Sequence, residues 1–187
     1  LCHHSGNRME ATSQTGGRMS KHDIPWWNPQ VGPNEYANLH DVLDSNYLND
    51  GDVTTRFERE IAALLGAKHA VGVTSGTSAL FLSLAALGIG HGDEVIVPDM
   101  TFIATANAVT LTGAVPVLVD VDPATLNISP EAFEKAITGR TRAVMPVHVS
   151  GRSADLSAIA MIAEKHGLAV VEDAAEALAS FHDGQAL

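Results

Sequence analysis

From residue 70 onward the apolar positions switch between two rhythms. Short runs rich in Val, Ile and Leu alternate with longer stretches in which apolar residues recur every three or four positions. The first rhythm suits strands buried on both faces, and the second suits helices with one covered side. The pattern predicts strands over 70–74, 94–97, 115–119, 142–147 and 168–171. Between them it predicts helices over 76–87, 101–111, 130–137 and 154–166, with Pro130 in the first turn of the third. Apolar strands joined by helical crossovers predict an α/β fold with a mostly parallel sheet and helices on both faces. Upstream, a helix is expected over 34–46, with Tyr36, Leu39, Val42 and Leu43 on one face. A turn over 47–51 leads to a second helix over 54–65, with Phe57, Ile61, Leu64 and Leu65 inward and Gly66 as its stop.

Residues 1–20 have no period and are rich in Ser, Thr, Gly, Asn and His, so they read as a disordered leader, with Met19 a natural first residue for the patterned chain. Residues 24–32, with Trp26 and Trp27 facing different ways, read as extended chain.

In a parallel sheet, ligands gather beyond the carboxyl ends of the strands. Three such ends carry distinctive residues. At the first, Thr74-Ser75-Gly76-Thr77-Ser78 leads from a β-branched run into an apolar helix. Unpaired N–H groups and the helix dipole favour an anion there, Gly76 permits close approach, and the hydroxyls add donors. The same residues also suit a plain cap by Ser75. At the second end, Phe102 follows Pro98-Asp99-Met100-Thr101, where ordinary packing is the alternative use of the ring. At the third, Asp173 follows Val170-Val171-Glu172. Asp173 and Glu176 also have the spacing of a pair that starts a helix.

Composition narrows the partners. The chain has 187 residues, 45% of them hydrophobic, enough for one α/β domain with a substantial core. Its net charge of −11 is spread along the chain, which argues against nucleic acid or an anionic membrane as partner. The single Cys2 can form no internal disulfide, which fits a reducing, cytoplasmic setting. No apolar run approaches a membrane span, and Cys2, His3 and His4 lack a second cluster that would complete a metal site.

An anion cup, an aromatic and a carboxylate suit one cofactor, pyridoxal 5′-phosphate. It needs a phosphate site, a flat neighbour for its ring and an acid against its pyridine nitrogen. The stretches FEREIAALLGAKHAVGVTSGTSAL, GDEVIVPDMTFIATANAV, GAVPVLVDVDPATLNISP, PVHVSGRSADLSAI and GLAVVEDAAEALAS stand in an order and spacing that resemble one family. It is the DegT/DnrJ/EryC1/StrS group of pyridoxal-phosphate sugar aminotransferases.

The resemblance implies the large domain of a fold-type I aminotransferase over residues 21–187, ending before a C-terminal small domain. It implies transfer of an amino group, from glutamate, to a nucleotide-linked keto sugar in polysaccharide biosynthesis, by a homodimer. By position, Gly76 and Thr77 would hold the phosphate, with Ser78 a weaker candidate. Phe102 would stack on the ring, Asp173 would pair with the pyridine nitrogen, and Glu176 would reach toward the ring hydroxyl. His148 would line the pocket or serve the fold. Ala179 stands where the family usually has Gly, a change expected to stiffen a turn near the site. The family's Schiff-base lysine is expected beyond residue 187, so these residues alone would bind cofactor weakly and turn over little. Two other readings stay open. One is a sugar dehydratase of the same family. The other is a noncatalytic nucleotide-binding module, suggested by Gly88-Ile89-Gly90-His91-Gly92.

Overall fold

The computed structural model describes residues 29–187, so the expectations for the leader and for Trp26 and Trp27 lie outside the described residues. The described residues fall into two units that part between Leu48 and Asn49.

The first unit contributes helix α1, Pro33–Asp44. Pro33 opens it with its fixed φ, and the Glu35 carboxylate returns to accept the Gly32 amide at 2.7 Å. On the face where the sequence groups its apolar residues, Tyr36, Leu39 and Leu43 are exposed and Val42 is half-buried.

The second unit begins with α2, Asp52–Leu65, which ends at Gly66 in the left-handed conformation (φ 64°), as the sequence predicts. Ile61 and Leu65 are half-buried, whereas Phe57 and Leu64 are exposed. Helix α3 follows over Gly76–Ala86. Alternation then sets in: β1 Glu94–Pro98, α4 Ala104–Leu111, β2 Val115–Val119, α5 Pro130–Ala136, β3 Thr141–Val144, α6 Leu156–His166 and β4 Ala169–Val170. A two-stranded hairpin, β5 Phe181–His182 and β6 Gln185–Ala186, closes the described chain around Asp183-Gly184.

The four main strands form a parallel sheet in the order β2-β1-β3-β4. Its two faces separate by the period-2 rule. Val95, Val97, Ala143 and Met145 pack with Leu80 and Leu84 of α3 and with Ala108 and Val109 of α4. Ile96 and Val144 point the other way, against Phe133 of α5 and Ile159 and Ala163 of α6. Helices therefore cover both faces, as the uninterrupted apolar runs require.

One predicted strand is missing from the sheet. Residues 70–74 form no ladder, and Val71 is 79% exposed. A β-branched run becomes a strand only when another backbone accepts its hydrogen bonds, and no described strand lies alongside. The segment is tethered to α2 instead, where the Gly72 amide donates to Glu58 Oε1 at 2.7 Å. The helix expected from 101 begins at Ala104, because residues 101–103 serve as its entry turn. Among the described residues no helix is long and apolar enough to cross a membrane.

Candidate functional site

The strand order reverses at β1. The chain leaves β1 for β2 on one side through α4, then returns through α5 to β3 on the other side. Such a switch parts the outgoing loops and opens a crevice at the carboxyl ends of the strands. The residues following β1, β3 and β4 meet there.

Asp173 is the anchor of this end of the sheet and is 7% exposed. Beyond the end of β4, its backbone continues the parallel pairing as an isolated bridge to Val147. The Asp173 amide donates to Pro146 O at 2.9 Å, and its carbonyl accepts from the His148 amide at 3.2 Å. The carboxylate is held as well. Thr105 of α4 donates its hydroxyl to Oδ2 at 2.8 Å, and the Ala175 amide approaches Oδ1 at 3.3 Å. No helix starts after Asp173, so the helix-starting alternative for Asp173 and Glu176 does not apply.

Phe102 is tied to this carboxylate through the entry turn of α4. Its carbonyl accepts the Thr105 amide at 3.1 Å, and its ring is 77% exposed. Among the described residues the ring joins neither core cluster, so packing within this core does not account for it. Thr105 itself is fully buried. No signal in the sequence singles it out, since it meets Asp173 across 68 positions of chain.

Gly76 and Thr77 stand at the free end of α3. The Ser75 side chain caps this helix, accepting the Ser78 amide at 3.1 Å. The plain-cap reading of Ser75 is therefore correct, yet it leaves the Gly76 and Thr77 amides uncapped by it. Gly76 is exposed, and a Cβ built there would meet no atom within 4 Å. Among the described residues, no hydrogen bond links Gly76 or Thr77 to Phe102 or Asp173.

Glu176 is exposed and turned toward the strap that follows β3. Its Oε2 accepts the Ser150 amide at 2.7 Å, where Ser150 is held at φ 52°. Asn127, not expected from sequence, fixes the same strap from the other side. Its side-chain amide donates to Arg152 O and Ser153 O at 3.1 and 2.9 Å, and its Oδ1 accepts the Val149 amide at 3.0 Å. His148 is fully buried, with Nδ1 accepting the Ala154 amide and Nε2 facing Glu172 Oε2 at 3.0 Å. Both ring nitrogens are spent on the fold, which makes His148 structural.

Two further groups lie elsewhere. Gly88 to Gly92 turns at the amino end of β1, the wrong end for a dinucleotide loop. Of the lysines in the described residues, Lys68 and Lys135 are exposed, and Lys165 pairs with Glu134 at 2.6 Å.

Known proteins resemble this chain in sequence and fold. The spore coat polysaccharide biosynthesis protein SpsC of Bacillus subtilis (strain 168) is 50% identical over 157 residues, covering 84% of this chain and 40% of that protein. The crystal structure of DesV from S. venezuelae aligns with a TM-score of 0.78 at 47% identity, covering 81% of this chain and 41% of that one. The putative sugar aminotransferase Spr1654 of Streptococcus pneumoniae, in its PMP-form, aligns with a TM-score of 0.85 at 32% identity, covering 88% and 46%. The same protein is also known in a PLP-form, and pyridoxal phosphate is the cofactor that goes with this group. The chain thus spans about two fifths of the length of the relatives it matches. The profile of the DegT/DnrJ/EryC1/StrS aminotransferase family matches residues 29–187, and the chain belongs to that family.

Proposed function

We propose that this chain supplies the pyridoxal-phosphate cup of an enzyme that moves an amino group from glutamate to a nucleotide-linked keto sugar. The observation that carries the proposal is Asp173, a carboxylate pinned at the sheet's carboxyl end beside the turn that displays Phe102. The donor set suits the cofactor. A buried acid with one lightly engaged oxygen suits a protonated ring nitrogen, and an exposed aromatic suits a flat ring. An uncrowded Gly76 at a helix amino end suits a phosphate ester.

When bound, the cofactor supplies a protonated pyridine ring that draws electrons from the substrate carbon. The residues of this chain would do the rest by holding it. Asp173 keeps a proton on the ring nitrogen by offering it a fixed negative charge. The Gly76 and Thr77 amides bind the phosphate through the partial positive charge at the start of α3. Phe102 covers one ring face and keeps water from it. Glu176 steadies the 148–152 strap by its bond to Ser150 and, on this reading, turns to the ring hydroxyl when cofactor is present. Lys68 and Lys135 are exposed and Lys165 pairs with Glu134, so on this reading the described residues hold the cofactor noncovalently. A role in polysaccharide synthesis is supported by the similarity to SpsC, and assembly as a homodimer in the cytoplasm belongs to the same reading.

The test is an absorbance titration of the chain with pyridoxal phosphate. Saturable binding is expected, weakened about tenfold in Asp173→Asn and unaffected by a nucleoside diphosphate at equal concentration. An unsaturable signal, or equal affinity in the variant, would overturn the proposal.

A further inference from the structure

We infer that Thr105 and Thr101 are positioning residues, a two-hydroxyl chain that sets the orientation of the Asp173 carboxylate toward the cofactor ring. The inference rests on the reading of Asp173 as the partner of the ring nitrogen.

The chain of donors is fixed by counting protons. An ionised carboxylate can only accept, so the 2.8 Å contact between Thr105 Oγ1 and Asp173 Oδ2 uses the single hydroxyl proton of Thr105. Thr105 Oγ1 also lies 2.8 Å from Thr101 Oγ1. With its own proton spent, Thr105 must accept in that second contact, and Thr101 must donate. The direction is therefore Thr101 to Thr105 to Asp173. A hydroxyl that accepts one hydrogen bond donates the next more strongly, and the effect is greatest away from water. Thr105 is fully buried, Asp173 nearly so and Thr101 half-buried.

The two carboxylate oxygens are treated unequally. Oδ2 takes the short, charge-assisted bond, while Oδ1 has only the 3.3 Å amide of Ala175. Oδ1 is thus the oxygen left with capacity for another strong donor, and a protonated ring nitrogen is such a donor. The backbone of Asp173 is tied at both its amide and its carbonyl, so rotation of the carboxylate is the freedom that remains. The Thr105 hydroxyl removes it. A valine at 105 would match the shape of threonine but leave Oδ2 buried without that donor, with the acid free to turn.

The test uses the whole chain and pyridoxamine 5′-phosphate labelled with 15N in the ring. This probe has no aldehyde and cannot condense with surface lysines. Two quantities are read, the Kd and the 15N shift that reports protonation of the ring nitrogen. Thr105→Val is expected to raise Kd about tenfold and to move the shift toward the unprotonated value. Thr105→Ser keeps the hydroxyl and is expected to stay within about twofold of the parent with its shift retained. Thr101→Val leaves Thr105 and Asp173 in place, and is expected to raise Kd about threefold with a smaller change in shift. It also serves as the variant that decides the matter should Thr105→Val fail to fold. Parental Kd and shift in folded Thr105→Val, or parental values in Thr101→Val where the former does not fold, would overturn the inference while leaving the cofactor site intact. Failure of the unmodified chain to bind the probe would instead overturn the reading of the site, and the inference with it.

Discussion

His148 donates from Nε2 to Glu172 Oε2 across 3.0 Å, from a ring with no exposed surface to a side chain that is partly in solvent. The direction is set by the other side of the ring, where Nδ1 accepts the Ala154 amide at 3.1 Å and so carries no proton. Losing the imidazole would orphan a buried amide and open a cavity. His148→Ala is expected to cost about 2–4 kcal/mol in urea unfolding. Glu172→Gln keeps an acceptor for the same proton and is expected to cost less than about 1 kcal/mol. Equal losses in the two variants would contradict the assignment.

Phe102 should behave in the opposite manner. With 77% of its surface exposed, it contributes little to folding. Phe102→Ala is expected to shift unfolding free energy by no more than about 0.5 kcal/mol. Its affinity for pyridoxal phosphate should fall about fivefold, from the loss of ring contact. Paired urea and absorbance titrations separate the two effects, and a large stability loss would show that the ring packs against the protein.

Ala179 lies at φ 65°, in the left-handed region that crowds a Cβ. The turn it occupies is therefore one that glycine fits better, and the alanine is held there under backbone strain. Ala179→Gly is expected to raise stability by about 0.5–1 kcal/mol, the relief of strain exceeding the added freedom of the unfolded chain. A thermal melt that moves downward would refute this.

Glu94 opens β1 at the far end of the sheet, and its carboxyl lies below the ordinary value of 4.5. The Thr138 hydroxyl is the main cause, and Arg140 adds to it, against a burial that pushes the other way. A depressed folded value means stability that is fully present above 4.5 and is lost as pH falls through the lowered value. Thr138→Val should therefore be less stable than the parent at neutral pH, and the gap should close as the solution is acidified below that point. Urea midpoints measured across the acid range check it, and a gap independent of pH would exclude the linkage.

The alternation of strand and helix is legible in the sequence because each element carries its own local signal. Val115 to Val119 and the Gly66 stop fall where the pattern puts them, since an apolar run and a left-handed glycine need no distant partner to be read. Residues 70–74 show the limit, for strand formation depends on a neighbouring backbone that side-chain pattern does not reveal. The hairpin around Asp183-Gly184 is absent from the predicted elements, although Asp-Gly flanked by two short segments is a recognised turn signal. At the site, Asp173 and Phe102 stand out by position at strand ends. Thr105 and Asn127 do not, because their partners lie 68 and 22 to 26 residues away and a lone hydroxyl or amide looks like any other.

The bond from the Thr105 amide to the Phe102 carbonyl makes one short turn answerable to two tasks. If the cofactor lies where we propose, any guest large enough to press on the aromatic also leans on the helix end that would steer the acid. Fit and ionic grip are in that sense geared together, and a mutation that widens the slot for a bulkier ring would loosen the hold on its charge at the same stroke.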